Sequence, residues 1–283
     1  MRVVVTGGAG RLGRHVVAEL KGDHEVLVFD QVCAPESEGV TVRLGDHREL
    51  GQVLGPLKGA DVVVHLSAIT YPGLYGEEVQ FASNVLGAFN VAEAAALLGV
   101  PKLVFASSPS LLGFMAPRDT FRLRYLPVDE DHPVAPHNAY GLSKLATEEI
   151  LQAWQRRTGA SAVLLRPCYL VTPQERDTRL RPRLERPELA AGNLFNYVDV
   201  RDAAQAFWLA VQRDLPGYHV LFVGAGDALA REPLATLLPR YYPGTEGLAA
   251  CLTGTRPAIS NGRAEAVLGY HPRYSWRDVI QLD

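Results

Sequence analysis

Val3-Val4-Val5-Thr6-Gly7-Gly8-Ala9-Gly10-Arg11-Leu12-Gly13 stands almost at the start of the chain, and its reading decides the fold. Three valines and a threonine, β-branched at every position, favour a strand. Glycines follow at 7, 10 and 13 in a GxxGxxG spacing, and residues 12–20 then take up a helical period. Strand, glycine turn and helix in that order open a dinucleotide-binding βαβ unit. The first glycine permits the tight turn, the second lets main chain approach a pyrophosphate, and the third lets the helix pack on the sheet. Main-chain N–H groups and the helix dipole favour the diphosphate at that end. A plain structural turn shares the spacing but does not require the strand before it and the helix after it. Gly7, Gly10, Arg11, Leu12 and Gly13 are therefore expected at the dinucleotide.

Reading outward, Glu25-Val26-Leu27-Val28-Phe29 is the next strand, and Asp30 ends it. A carboxylate there hydrogen-bonds ribose hydroxyls and repels a 2′-phosphate, which favours NAD over NADP; Arg11 and Arg14 are the counterweight. Residues 61–66 (DVVVHL), 102–106 (KLVFA), 162–165 and 220–223 read as further strands. Such near-continuous apolar runs suit parallel strands covered on both faces. Between them, residues 79–98 read as an Ala-rich helix stopped by Gly99 and Pro101, and residues 139–157 as a helix capped by Asn138 and ended near Gly159. Alternation of this kind predicts an α/β fold, a Rossmann doubly wound parallel sheet. Residues 172–190, rich in Pro, Arg and Glu, read as a loop or short helices over the C-terminal strand edges, and a last short helix is expected over 263–268. The expected layout is a Rossmann domain over 1–166 and a small C-terminal substrate lobe over 167–283, partly intertwined with the Rossmann sheet.

Composition agrees with an ordinary globular enzyme. The 283 residues are 47% hydrophobic and 21% charged, with a formal net charge of −3. That balance gives no reason to expect a nucleic-acid partner or a membrane surface. Cys33, Cys168 and Cys251 are odd in number and widely spaced, so neither a disulfide framework nor a metal site is expected, and a cytoplasmic setting fits.

Chemistry enters at Tyr140-Gly141-Leu142-Ser143-Lys144. Residues i and i+4 share a helix face, so the phenol is expected beside the ammonium. With the positive nicotinamide ring, that charge is expected to lower the Tyr140 pKa toward neutrality and make a base for a hydroxyl proton. Lys144 is also placed to hold the nicotinamide ribose. Ser107 and Ser108 follow the KLVFA strand at the carboxyl edge, where open α/β sheets place their ligands. A serine there either steadies the substrate oxygen or merely caps the strand end. Asn84, inside the 79–98 helix, either supports the site or caps a local bend.

With these residues in place the chain resembles a known family, the extended short-chain dehydrogenases/reductases, also called the NAD-dependent epimerase/dehydratase family. TGGAGRLG, Asp30, Gly45-Asp46, HLSA (65–68), Asn84, FASS (105–108), YGLSK and NYVDVRD (196–202) fall in the family's order across essentially the whole chain. The resemblance implies that Asp46 and His47 lie near the adenine and that Leu66, Ser67 and Ala68 line the dinucleotide. It makes Ser108, Tyr140 and Lys144 the catalytic triad and sets Pro167 and Cys168 beside the nicotinamide. It implies a homodimer formed through the 79–98 and 139–157 helices.

Two departures narrow the reaction. Pro109 and Ser110 stand where the family's dehydratases carry an Asp-Glu pair, so dehydration is not expected. The span from Arg166 to Tyr197 is shorter than the nucleotide-gripping insertion of sugar-nucleotide epimerases, which favours a small sugar or sugar acid, and the chain is similar to uronate dehydrogenases. Arg176, Arg179, Arg181, Arg183 and Arg186 crowd that span, and Arg118, Arg122 and Arg124 an earlier loop. They either clamp an anionic substrate or form a solvated surface balanced by Glu175, Asp177 and Glu185. The expected function is thus an NAD-dependent sugar or sugar-acid dehydrogenase. An epimerase holding NAD tightly and a non-catalytic NAD-binding regulator are the alternatives.

Overall fold

The computed structural model describes residues 1–33, 39–70, 73, 75–114 and 122–280. Among these, β1 (Arg2–Thr6), β2 (Glu25–Asp30), β3 (Thr41–Leu44), β4 (Val62–His65), β5 (Lys102–Ala106) and β6 (Ser161–Pro167) share one sheet with a later strand, β9 (Tyr218–Val223). Two short strands, β7 (Leu170–Val171) and β8 (Val198–Asp199), pair separately. The sheet order is β3-β2-β1-β4-β5-β6-β9, with every pair parallel. The strand order reverses between β1 and β4, and a doubly wound sheet binds ligands at that switch point, outside the carboxyl ends of its strands.

Strand alternation explains the uninterrupted valines. Val3 and Val5 face one side, where Val16, Val17 and Leu20 of α1 (Gly13–Leu20) and Phe207 of α7 (Val200–Gln212) cover them. Val4 faces the other, against Val53 of α2 (Leu50–Leu57), Val91 of α3 (Glu77–Leu98) and Leu151 and Trp154 of α4 (Ala139–Thr158). Both faces are buried, so every strand position must be apolar. Helix ends obey their local chemistry. The Asn138 side chain accepts the Gly141 N–H at 2.8 Å to start α4, and Gly99 and Gly159 end α3 and α4 with φ of 68° and 70°. Among the described residues α3 alone passes for a membrane span by length and hydropathy, but half of that window is buried. Its buried face includes Gln80, Asn84 and Asn90, which donate to loop carbonyls.

Of the elements that the sequence reading does not contain, three belong to the main sheet and its covering helices. β3 is an edge strand with little buried surface, so it carries no apolar run. In α2, Gly51, Gly55 and Pro56 mask the buried pair Val53 and Leu57. The third, α7, has an apolar stripe through Ala203, Phe207 and Ala210 that the sequence reading passes over. Residues 172–190 hold a 3-10 turn (Pro173–Glu175), a π-type turn (Arg176–Leu180), α5 (Arg181–Glu185) and the start of α6 (Glu188–Ala191). After β9 come α8 (Leu234–Tyr241), α9 (Glu246–Ala249) and α10 (Gly262–Leu268). Fully buried Asp202 accepts the N–H groups of Arg273 and Tyr274, each at 3.0 Å, and so ties down the last segment.

Candidate active site

The glycine turn closes on itself and on the next strand. Gly7 has φ +74°, and a Cβ there would lie 2.5 Å from the main-chain nitrogen of Ser67. A Cβ on Gly13 would lie 2.0 Å from the carbonyl oxygen of Gly7, and the Gly10 N–H donates to that same oxygen at 3.0 Å. Leu66, Ser67 and Ala68, half-buried, therefore run beside the turn. α1 starts at Gly13 without a side-chain cap; the N–H groups of Arg14 and His15 bond Gly10 O and Leu12 O, each at 3.1 Å, and the helix dipole favours an anion before them. Asp30 stands at the tip of β2; one oxygen accepts the Ala9 N–H at 3.0 Å and the other the Gln31 N–H at 2.7 Å.

Beyond β3, Arg48 grips Asp46 through Nε at 2.9 and 3.0 Å, and this hydrogen bonding holds the Asp46 carboxyl down to about 2. His47 rests against α3, where a Cβ on Gly87 would fall 1.8 Å from its ring. Its Nε2 is buried with no hydrogen-bond partner among the described residues. His65, buried in β4, pairs its Nδ1 with the Thr6 hydroxyl at 2.6 Å. Burial lowers the pKa of both rings, so both are neutral. A backbone cradle too tight for any Cβ, an uncapped helix start and a strand-end carboxylate fit a dinucleotide such as NAD.

Across the switch point, the expected Ser, Tyr and Lys come together. Ser108 lies in extended backbone just past β5, and its hydroxyl meets Ser110 Oγ at 3.0 Å and the Tyr140 phenol. Lys144 Nζ stands 5.7 Å from the Tyr140 ring centroid and donates to the Ala106 carbonyl at 2.8 Å. Asn84 steadies the neighbourhood: its Oδ1 accepts the Ile69 N–H at 2.8 Å, and its Nδ2 reaches Ile69 O at 3.1 Å and Ser143 Oγ at 3.2 Å. It thus joins the loop after β4 to α4 and caps no bend.

The expected lowering of the phenol rests on the lysine and the positive nicotinamide ring together. In the cofactor-free protein burial pushes Tyr140 up to about 12, with Ser108 opposing, and burial brings Lys144 down to about 8, with Glu148 opposing.

Other expected residues scatter. Ser107 is buried, and its hydroxyl is committed to Glu148 at 2.5 Å. Pro167 ends β6, and Cys168 is buried beside Gly224, where burial pushes its thiol up to about 12. The Arg11 guanidinium turns away from its own loop to the Leu170 carbonyl at 2.8 Å and to Glu175. Of the clustered arginines, Arg176 and Arg181 pair with Asp177, and Arg179 with Glu175. Arg183 stacks 4.3 Å above the Tyr169 ring, and its Nε is buried without a hydrogen-bond partner among the described residues. Arg122, Arg124 and Arg186 are exposed, and Arg118 lies outside the described residues. Sequence reasoning missed Glu148 and Arg166, which form a buried ion pair at 2.7 Å. Their signal was present: Glu148 continues the 140–144 spacing by one more turn, and Arg166 interrupts an apolar strand.

Known proteins resemble this chain over most of its length. A profile of the NAD dependent epimerase/dehydratase family matches residues 3–224. L-arabinose 1-dehydrogenase (NAD(P)(+)) of Haloferax volcanii is 30% identical over 221 residues, 76% of this chain and 84% of that one. Uronate dehydrogenase of Pseudomonas putida is 30% identical over 171 residues, 58% of this chain and 59% of that protein. A Methanocaldococcus jannaschii protein provisionally named UDP-glucose 4-epimerase is 32% identical over 179 residues, 58% of this chain and 54% of its own. The chain therefore spans little more than half the length of the last two. A crystallised short-chain dehydrogenase/reductase superfamily protein from Agrobacterium tumefaciens, with bound NAD, superimposes at TM-score 0.75 with 26% identity, covering 98% of this chain and 94% of that one. The fold and the site define a nicotinamide-dependent Rossmann enzyme class. The chain belongs to the NAD-dependent epimerase/dehydratase family.

Proposed function

We propose that this protein is an NAD-dependent dehydrogenase that oxidises a small sugar or sugar acid. The observation that carries the reading is the meeting of Ser108, Tyr140 and Lys144 at the sheet's carboxyl edge. NAD, held by Gly7, Gly10, Leu12, Gly13, Asp30, Asp46, His47, Leu66, Ser67, Ala68, Pro167 and Cys168, supplies the acceptor of the substrate's hydride and a positive charge. The main chains of Arg11 and Ser107 join that wall. Ser108 hydrogen-bonds the substrate oxygen, Tyr140 takes its proton, and Lys144 holds the ribose side of the site. Burial alone raises the Tyr140 phenol, so the base works only in a site that also contains positive charge. Arg183, stacked on Tyr169 with an unsatisfied buried Nε, is the arginine best placed to read a carboxylate.

The test is NADH release from a panel of small sugars and uronic acids, repeated with Arg183→Ala. NADH forms with a sugar acid, and the variant raises KM by about tenfold with little change in kcat. Tightly retained cofactor and no net NADH would overturn the dehydrogenase and favour the epimerase. Cofactor preference gives a second check. Asp30, already fixed by the Ala9 and Gln31 N–H groups, repels a 2′-phosphate, and Arg11 is held by Glu175. NAD⁺ is expected to bind at least about tenfold tighter than NADP⁺ by calorimetry; equal affinities would contradict the role given to Asp30.

The same reading includes a homodimer in the cytoplasm. Leu86, Phe89 and Leu97 of α3 and Leu142 of α4 are exposed apolar residues. A groove lined by Phe89, Ala92, Ile150, Ala153 and Trp154, with the Glu93–Arg157 pair at its edge, runs between the two helices.

A further inference from the structure

Tyr140, Lys144 and Glu148 follow one another at intervals of four on α4, so they share a helix face. The roles assigned above use the first two only. Glu148 is 5% exposed, and its carboxylate is fully occupied. One oxygen accepts the Ser107 hydroxyl at 2.5 Å and Arg166 Nε at 2.8 Å, and the other accepts Arg166 Nη2 at 2.7 Å. Ser107 immediately precedes Ser108, and Lys144 is bonded to the carbonyl of Ala106. One carboxylate therefore joins the helix that carries Tyr140 and Lys144 to the strand end that carries Ser108, and both to β6.

Resting on the reading of Tyr140 and Lys144 given above, we propose that Glu148 is a positioning residue of the reaction. Its carboxylate locks the Ser107–Ser108 strand end against α4 and supplies the negative charge that keeps Lys144 an ammonium beside Tyr140. The charged and titratable groups around Lys144 are Tyr140 and Glu148 on its own helix, His47 after β3, His65 on β4, and Arg166 on β6 behind Glu148. Both histidines are kept neutral by burial. The charge of Arg166 is paired, and α3 presents the uncharged Asn84. Burial of Lys144 is opposed by Glu148. An unopposed buried lysine releases its proton more readily.

A purely structural Glu148–Arg166 clamp predicts a different result, and a titration separates the two. The chain has four lysines, Lys21, Lys58, Lys102 and Lys144. Carbon-13 lysine NMR of the cofactor-free protein can therefore follow each, with Lys102→Arg assigning the other lowered amine. The Lys144 midpoint is expected near 8. Glu148→Gln should lower it by about one pH unit or more. Ser107→Ala removes a hydrogen bond but no charge and should leave the midpoint in place. If Glu148→Gln does not fold because Arg166 is stranded, the doubly neutral Glu148→Gln/Arg166→Met protein is titrated instead, with the same direction expected. An unchanged Lys144 midpoint in either folded variant overturns the proposal, as does an equal fall in Ser107→Ala. Failure of Tyr140 as the base would leave this titration as it is, so the two ideas fail separately.

Discussion

Tyr140→Phe is expected to abolish turnover while NAD binding stays nearly unchanged. The substitution removes one oxygen. It keeps the ring over which Lys144 Nζ stands and leaves Lys144 bonded to Ala106. What disappears is the group that takes the substrate's proton, a contribution of about 10³-fold in kcat or more. The glycine turn after β1, Asp30 at the end of β2 and Ser67 after β4, on which NAD binding is expected to depend most, do not involve the phenol oxygen. Steady-state kinetics alongside calorimetric NAD titration gives both numbers. Full activity in the variant would remove Tyr140 from the mechanism. A wild-type protein that binds NAD but turns over no sugar or sugar acid would favour the regulator.

The second large effect belongs to Gly13. Its added methyl would fall 2.0 Å from the Gly7 carbonyl oxygen and 2.8 Å from Gly8 Cα, both main-chain atoms that no rotamer change can move. Either α1 backs away from β1 or the glycine turn opens. Overpacking of this kind costs about 1–3 kcal/mol, so Gly13→Ala should lower Tm by roughly 5 °C. The same displacement moves the N–H groups meant for the diphosphate, and NAD affinity should fall by about a hundredfold. Gly51→Ala is the control, since a methyl there meets nothing within 4 Å on an exposed turn of α2; it should be neutral or slightly stabilising. Equal Tm and affinity in Gly13→Ala and wild type would contradict the close approach on which the cradle depends.

Much of the architecture was legible because one physical cause produced one pattern. Strands covered on both faces had to be continuously apolar, and the turn between β1 and α1 had to be built of glycine. The helix spacing placed Tyr140 and Lys144 on one side before any coordinates. What escaped was whatever depended on neighbours distant in sequence. β3 buries too little to advertise itself, and α2 hides behind Gly51, Gly55 and Pro56. Glu148 reads as an ordinary charged helix residue until β5 and β6 close over it. Helix spacing fixes which side chains are neighbours and not which atoms of them meet, so it places Lys144 beside Tyr140 without revealing its bond to the Ala106 carbonyl. The arginine run resolved only when Glu175 and Asp177 were seen to take most of it.

The two adjacent serines show how much the sheet decides. Ser107 continues the β5–β6 pairing, its N–H donating to Leu165 O at 2.7 Å, and its side chain goes to Glu148. Ser108, one residue further past the strand's end, meets Tyr140, two turns earlier on the same helix. As local sequence the two are interchangeable. A slip of β5 by a single residue would put one serine in the other's place, but it would also carry Phe105 from the α3 and α4 side to the α7 side and Val104 the other way. The bulk of those core side chains is therefore what tells one hydroxyl from its twin: the register of a buried strand acts as an address for chemistry at its end.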